Sequence, residues 1–112
     1  MRKIKVTFNK NRQYVYFHIA EPLKAFKKAH NCDAWYSNQV NRNRYKGLFG
    51  NIYLPKCKHG DPYLHELISH EVTHLMADWM KARNMRVTDR NEERIATLTG
   101  EIVRRFWRAY NL

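Results

Sequence analysis

The sequence predicts a single α+β domain in which a small antiparallel or mixed sheet packs on helices. A chain of 112 residues has the length of one domain, so we expect residues 1–112 to fold together. The N-terminal part alternates apolar and polar residues with the period of strands, whereas the C-terminal part repeats apolar residues at helical spacing. The composition, 44% hydrophobic and 28% charged, excludes collagen-like, low-complexity and strongly disordered classes.

The first elements are two strands and a short helix. Residues 3–8 and 14–19 are rich in β-branched and aromatic residues and flank a polar segment, which predicts a β-hairpin. Glu21 and Pro22 then open a helical stretch, because proline suits the first turn of a helix.

The middle of the chain is predicted to hold one loop and one strand. Residues 37–50 are polar, basic and aromatic, and we interpret them as a long loop. Residues 50–55 (GNIYLP) read as a short strand that ends at its proline.

Two longer helices follow. Asp61 can cap free backbone amides and Pro62 suits the first helical position, so a helix is predicted over about residues 62–82. Asn91 is a candidate cap for a last helix over about residues 92–109.

The helix over 62–82 contains the motif His70-Glu71-Val72-Thr73-His74. Histidines at positions i and i+4 lie one turn apart on one helix face, about 40° from each other around the axis, so both rings can reach one metal ion. Glu71 flanks this pair and is placed to take a proton from a zinc-bound water. The motif predicts one Zn²⁺ per chain, held by His70 and His74, with Glu71 as the catalytic residue.

A catalytic zinc usually takes three protein ligands, so a third is expected on the last helix. Helical phase leaves both Glu92 and Glu93 as candidates. Glu92 lies near the centre of the apolar stripe of this helix, whereas Glu93 lies at its edge beside Ala96 and Gly100. We favour Glu93, because those small residues would let the helix approach a neighbour closely.

The sequence HEVTH followed by NEERIA resembles the gluzincins, zinc metallopeptidases with two helical histidines and a glutamate from a following helix. The resemblance covers about residues 50–100, and the short length is similar to small ImmA/IrrE-type or phage-borne domains. Ala96, three positions after Glu93, fits the E-x-x-A/S pattern of the group, whereas Thr97 stands where an aspartate or asparagine is frequent.

This resemblance implies a zincin-like fold, with an active-site helix at 62–82 and a ligand helix at 92–109. It also implies a zinc-dependent hydrolase that cleaves peptide bonds. Its protein or peptide substrate would pair with an edge strand near residues 50–55.

A second class of function stays open because the chain is strongly basic, with 21 Lys and Arg residues against 10 Asp and Glu residues. The alternative is a regulatory or anti-defence binding protein that holds nucleic acid or an acidic protein on its basic surface. Candidate surfaces are residues 41–46, which interleave Arg and Tyr, and Arg104, Arg105 and Arg108 on the last helix. Nucleic acid is not the favoured partner, since these basic residues are spread over several elements.

Three further features of the sequence bear on the site and on the location of the protein. Asp78, one turn after His74, is a candidate to orient that ring. His30 with Cys32, and Cys57 with His59, are candidate ligands for a second metal, although their spacing matches no standard zinc module. The sequence shows no membrane span and no signal peptide, so a cytoplasmic protein with reduced thiols is expected.

Overall fold

The computed structural model describes residues 2–57 and 60–111, and it shows a four-stranded mixed sheet with three helices. The elements in chain order are β1 (Arg2–Phe8), β2 (Gln13–Pro22), α1 (Leu23–His30), β3 (Trp35–Asn38), β4 (Gly47–Lys56), α2 (Pro62–Ala82) and α3 (Glu92–Tyr110). The strand order is β1-β2-β4-β3. The β2–β4 pair is parallel and the other two pairs are antiparallel. The prediction of an α+β fold with a mixed sheet is confirmed at this level.

The predicted N-terminal hairpin is present. Ile4 pairs with Phe17 and Val6 with Val15, so the apolar residues of β1 and β2 share one face. The turn uses positive φ angles at three successive residues of the segment 9–11, two of which are asparagines, which tolerate this conformation well. Beyond the hairpin, β2 continues as far as Pro22, so α1 begins slightly later than predicted.

The predicted loop over residues 37–50 is wrong at both of its ends. Ser37 and Asn38 belong to β3 and pair with Asn51 and Gly50 of β4, which itself begins at Gly47. A strand of only four residues carries too little pattern to be predicted, because its pairing with β4 is what makes it extended.

The predicted edge strand at residues 50–55 is also wrong in its position. This segment lies inside β4, which is hydrogen-bonded to β2 on one side and to β3 on the other. β3 instead forms the edge of the sheet on that side.

The two long helices begin close to where the sequence predicts. The side chain of Asp61 accepts a hydrogen bond from the backbone N–H of Tyr63 at 2.9 Å, as expected for a cap. Asn91 does not cap α3, since its side-chain oxygen accepts from the backbone N–H of Thr88 at 2.8 Å and its amide donates to the carbonyl of Arg86. The asparagine therefore stabilises the turn before α3.

The main core lies between one face of the sheet and helices α2 and α3. Gln13 is fully buried at its boundary and joins three parts of the chain. Its side-chain oxygen accepts from Asn9 and from the indole N–H of Trp79, and its amide donates to the carbonyl of Arg44. This satisfied polar group fixes the hairpin against α2 and the β3–β4 connection.

Helix α1 packs on the opposite face of the sheet. Its Phe26 is 2% exposed but lies outside the main core cluster, against Trp35, with a ring separation of 5.5 Å. The next residue, Tyr36, points to the α2 side, as the alternation of side chains along a strand requires. Within the described residues, no helix has the length and apolar character needed to cross a membrane.

Candidate metal centre

The side chains of His70 and His74 converge on the exposed face of α2. Their Nε2 atoms are 3.2 Å apart, and the two rings are tilted by 76° with their centroids 4.8 Å apart. This arrangement follows from the i, i+4 spacing, which places the second ring one turn above the first. Two imidazole nitrogens so close require either a shared proton or a cation between them.

The separation of these nitrogens fits a bound metal. For a tetrahedral zinc with Zn–N bonds of about 2.05 Å, two ligating nitrogens lie about 3.3 Å apart. The observed 3.2 Å differs little from that value. The two histidines could therefore both bind one ion without rearrangement.

Glu71 completes the group that the motif predicts. Its ligand atom and those of His70 and His74 lie within 4.8 Å of one another. Unlike the two exposed histidines, Glu71 is only 3% exposed, and its Oε2 has no hydrogen-bond partner in the described structure. Burial raises the pKa of this carboxyl, while the neighbouring charges of His74 and His70 lower it.

A buried carboxylate oxygen without a partner is costly, and such groups concentrate at functional sites. The cost at Glu71 is offset only when a proton, a water or a cation occupies the space beside it. The arrangement therefore supplies two of the three protein ligands usual for a catalytic zinc, together with an adjacent unpaired base.

The three side chains open into a cavity of about 600 Å³ between α2 and β3. Its other wall is formed by residues 34–38, and Asp78 of α2 also lines it. A smaller cavity of about 290 Å³ adjoins His70 and Glu71 on the side of Tyr63. The site is therefore a cleft along the edge strand of the sheet.

Asp78 does not orient His74, as the sequence suggested that it might; it anchors the far wall of the cleft. Its two oxygens accept from the hydroxyl of Tyr36 at 2.6 Å and from the guanidinium of Arg42 at 2.8 Å. Burial and the nearby carboxylate raise the pKa of Tyr36 far above its usual range, so its hydroxyl stays protonated and donates to Asp78.

Tyr36 is a site residue that the sequence did not reveal. Its ring packs over Gly50, where a Cβ atom would lie 2.6 Å from a ring carbon. The only signal in the sequence is a glycine within an otherwise bulky strand, which often marks a close approach of another group.

Glu93 lies apart from the histidines. It lines a separate cavity of about 380 Å³ together with Arg12 and Arg94. Neither Glu93 nor Glu92 belongs to the group formed by the motif, which is the one cluster of potential metal ligands among residues 2–57 and 60–111. The role of Glu93 as third ligand stays a prediction.

The position of α3 explains this separation. Arg94 lies over the ring of Trp79, at 5.4 Å from its centroid. Trp79 is five residues beyond His74, which corresponds to about 7.5 Å along the axis and about 140° around it. The start of α3 therefore packs on another side of α2. Gly100 makes no close approach to another element, since a Cβ there would have no atom within 4 Å.

The candidate second metal site is not assembled among the described residues. Cys32 and Cys57 are free and half-buried, and neither belongs to a ligand cluster with His30. His59 lies outside the described residues.

The basic side chains singled out in the sequence serve partly as structural contacts. Arg42 is paired with Asp78. Arg105 donates to the backbone and hydroxyl oxygens of Thr7 and forms an ion pair with Glu101 at 3.2 Å. These two arginines therefore hold elements together, and they are not free to bind a partner.

Comparisons with protein-family models, with curated proteins and with solved structures find no match to this chain. The resemblance to gluzincins is thus carried by the motif residues alone.

Proposed function

We propose that this protein is a zinc-dependent metallopeptidase of the HExxH type, in which His70 and His74 hold the metal and Glu71 acts as general base and acid. The observation that supports this most directly is the 3.2 Å approach of the two imidazole nitrogens beside a buried, unpartnered carboxylate oxygen. Two histidines that lay on a surface helix by chance would have no reason to be accompanied by a buried glutamate.

When bound, zinc polarises a carbonyl group and lowers the pKa of a water to about 7. Glu71 supplies the proton transfers. Its carboxylate accepts a proton from the attacking water and donates it to the leaving amine. Burial keeps this side chain in place, and Glu71 lines the same cleft as His70 and His74.

The substrate is proposed to be an extended peptide that adds to β3. In the strand order, β3 lies at the edge of the sheet with β4 as its neighbour. Residues 34–38 also line the cleft that contains His70 and Glu71. A peptide hydrogen-bonded to this edge would place its backbone beside the Glu71 carboxylate. This replaces the pairing with residues 50–55 that the sequence suggested.

The experiment that tests the proposal measures metal content in protein purified without an affinity tag. We expect one zinc per chain in the wild type and its loss in His70→Ala and His74→Ala. His65→Ala is the matched control, because His65 is on the same helix but is stacked on Trp107 with a ring separation of 4.2 Å. A folded wild type that binds no zinc, or a His74→Ala variant that keeps it, would overturn the proposal.

A further inference from the structure

The face of the sheet that points away from α2 and α3 carries a group of aromatic rings, which we call the aromatic face. These rings come from β2, β4 and β3, and all are half-buried. The residues are Tyr14, Tyr16, His18, Tyr53 and Trp35. They alternate along their strands with residues of the main core, such as Val15 and Ile52. Phe26 and His30 of α1 cover Trp35 at the β3 end, so the rings open to a partner are those of β2 and β4.

The rings of the aromatic face contact one another across the strands. His18 and Tyr53 stack with centroids 4.6 Å apart, and Tyr53 and Trp35 stack at 4.4 Å. Tyr14 and Tyr16 meet edge to face at 5.5 Å. His18 is also held by a 2.9 Å hydrogen bond to Asn51. Three neighbouring strands at a spacing of about 4.8 Å make this a track of about 10 Å across the sheet.

Two lysines from the neighbouring strand β1 lie over the two tyrosine rings of β2. The ammonium of Lys3 is 3.9 Å from the ring centroid of Tyr16, and that of Lys5 is 4.2 Å from the centroid of Tyr14. Exposed cation–π contacts of this kind are weak, so a phosphate can draw the lysines away from the rings.

The charge of the four strands favours an anionic partner. Their one acidic residue is Glu21, next to the last residue of β2. The remaining acidic residues of the chain are on helices α2 and α3 or in connecting segments. The aromatic face thus combines stacking surfaces with positive charge, and the carboxylates of the chain lie almost entirely outside the strands.

Positive charge continues past the Tyr14 end of the face. Arg83 contacts the rings of Trp79 and Tyr45, and Arg44 also lies within 5.9 Å of the Tyr45 ring centroid. Burial and the charges of Arg94 and Arg12 lower the pKa of Arg83. Arg12 directly precedes β2, so this arginine group extends the basic surface from the strands towards the end of α2.

We propose that the aromatic face binds single-stranded nucleic acid, with unpaired bases stacked on the rings and phosphates bound by Lys3 and Lys5. Bases on a duplex are stacked on one another and cannot reach such rings, whereas unpaired bases can. Stacking accepts any base, so binding has little dependence on sequence. This site lies on the opposite side of the sheet from Glu71 and does not depend on the proposed hydrolysis.

The test is fluorescence anisotropy with labelled twelve-nucleotide oligo(dT) and oligo(U), and with a duplex of the same length. Wild type is compared with Lys3→Ala/Lys5→Ala and with Tyr14→Leu/Tyr16→Leu. The matched control is Arg104→Ala/Arg108→Ala, which removes the same charge from exposed positions on α3.

We expect wild type to bind the single strands more tightly than the duplex. The lysine variant should bind them more weakly and show a log–log salt slope shallower by about 1.4, from about 0.7 per phosphate contact. Loss of two stacking rings should weaken binding at least tenfold. The arginine control should bind as wild type does.

Equal losses in the arginine control and the lysine variant would show a general charge effect, and equal affinity for duplex would exclude base stacking. Either result overturns the proposal, as does binding of an acidic protein but of neither oligonucleotide. Amide chemical shifts of the wild type on titration with oligo(dT) provide a check that needs no variant. The changes should fall on β1, β2 and β4 and spare α3.

Discussion

Glu71 has an unusual position for a carboxylate, because it is 3% exposed while the histidines on either side of it in the motif are exposed. We expect Glu71→Gln to keep wild-type zinc content, since His70 and His74 remain, and to lose peptide hydrolysis by about 10²–10⁴-fold, the usual contribution of a proton-transfer group. Zinc analysis and cleavage of a quenched-fluorescent peptide library measure the two effects. Retained hydrolysis in this variant would contradict the role given to Glu71.

Gly50 makes room for Tyr36 and thereby shapes the cleft. In Gly50→Ala the new methyl would lie 2.6 Å from a ring carbon of Tyr36, so the ring must move away from Asp78. We expect a loss of about 1–3 kcal/mol in the free energy of unfolding, measured by urea denaturation.

Gly100→Ala is the control for that substitution. Gly100 lies within α3 and a Cβ there meets open space. Because alanine is a better helix former, we expect a gain of about 0.5–1 kcal/mol. Equal effects at the two glycines would contradict the close packing of Tyr36 over Gly50.

At the scale of residues, the sequence predicted what depends on local spacing. His70, Glu71 and His74 are fixed relative to one another by a single helix, so their convergence follows from the motif. Tyr36 reaches the same cleft only through the pairing of β3 with β4, which no local pattern records. The burial of Glu71 likewise depends on how α2 packs against the sheet.

The same distinction holds for the elements. The start of α2 follows from Asp61 and Pro62, whose capping chemistry is local. The sequence predicts neither β3 nor the position of β4 inside the sheet, because which strands become neighbours is decided by long-range pairing. The edge available to a peptide is therefore β3, and not β4 as the sequence predicts.

Whether Glu93 can be the third zinc ligand depends on the position of helix α3. The motif predicts that Glu93→Gln weakens zinc binding far more than Glu92→Gln. The observed position of Glu93, in a cavity with Arg12 and Arg94, predicts that neither change matters. Competition with a chromogenic chelator measures both zinc affinities. A selective loss in Glu93→Gln would show that the first turn of α3 moves towards the histidines when zinc binds.

For the molecule as a whole, the sheet separates two chemical surfaces. The cleft with Glu71 lies on the side of α2, and the aromatic face with Lys3 and Lys5 lies on the other. In the sequence the basic residues are spread over several elements, which argued against a nucleic-acid site. The fold brings Lys3 and Lys5 onto rings from a different strand, an arrangement that depends on the register of β1 with β2.

The folded state should not depend on zinc. The main core joins α2, α3 and the sheet through residues such as Phe17, Leu75, Trp79 and Phe106, none of which needs a metal to be buried. We therefore expect protein treated with EDTA to unfold cooperatively. Zinc adds stability by mass action alone, about 2.7 kcal/mol at a free concentration 100 times its dissociation constant.

That increment corresponds to a rise in Tm of about 10 °C for a domain of this size. It should vanish in His74→Ala and persist in His65→Ala, measured by calorimetry with and without zinc. Loss of cooperative unfolding after EDTA would show instead that the metal is structural. A catalytic zinc keeps one coordination position open for water, and the protein folds without it. A structural zinc is needed for folding itself, so unfolding with and without EDTA distinguishes the two kinds of site.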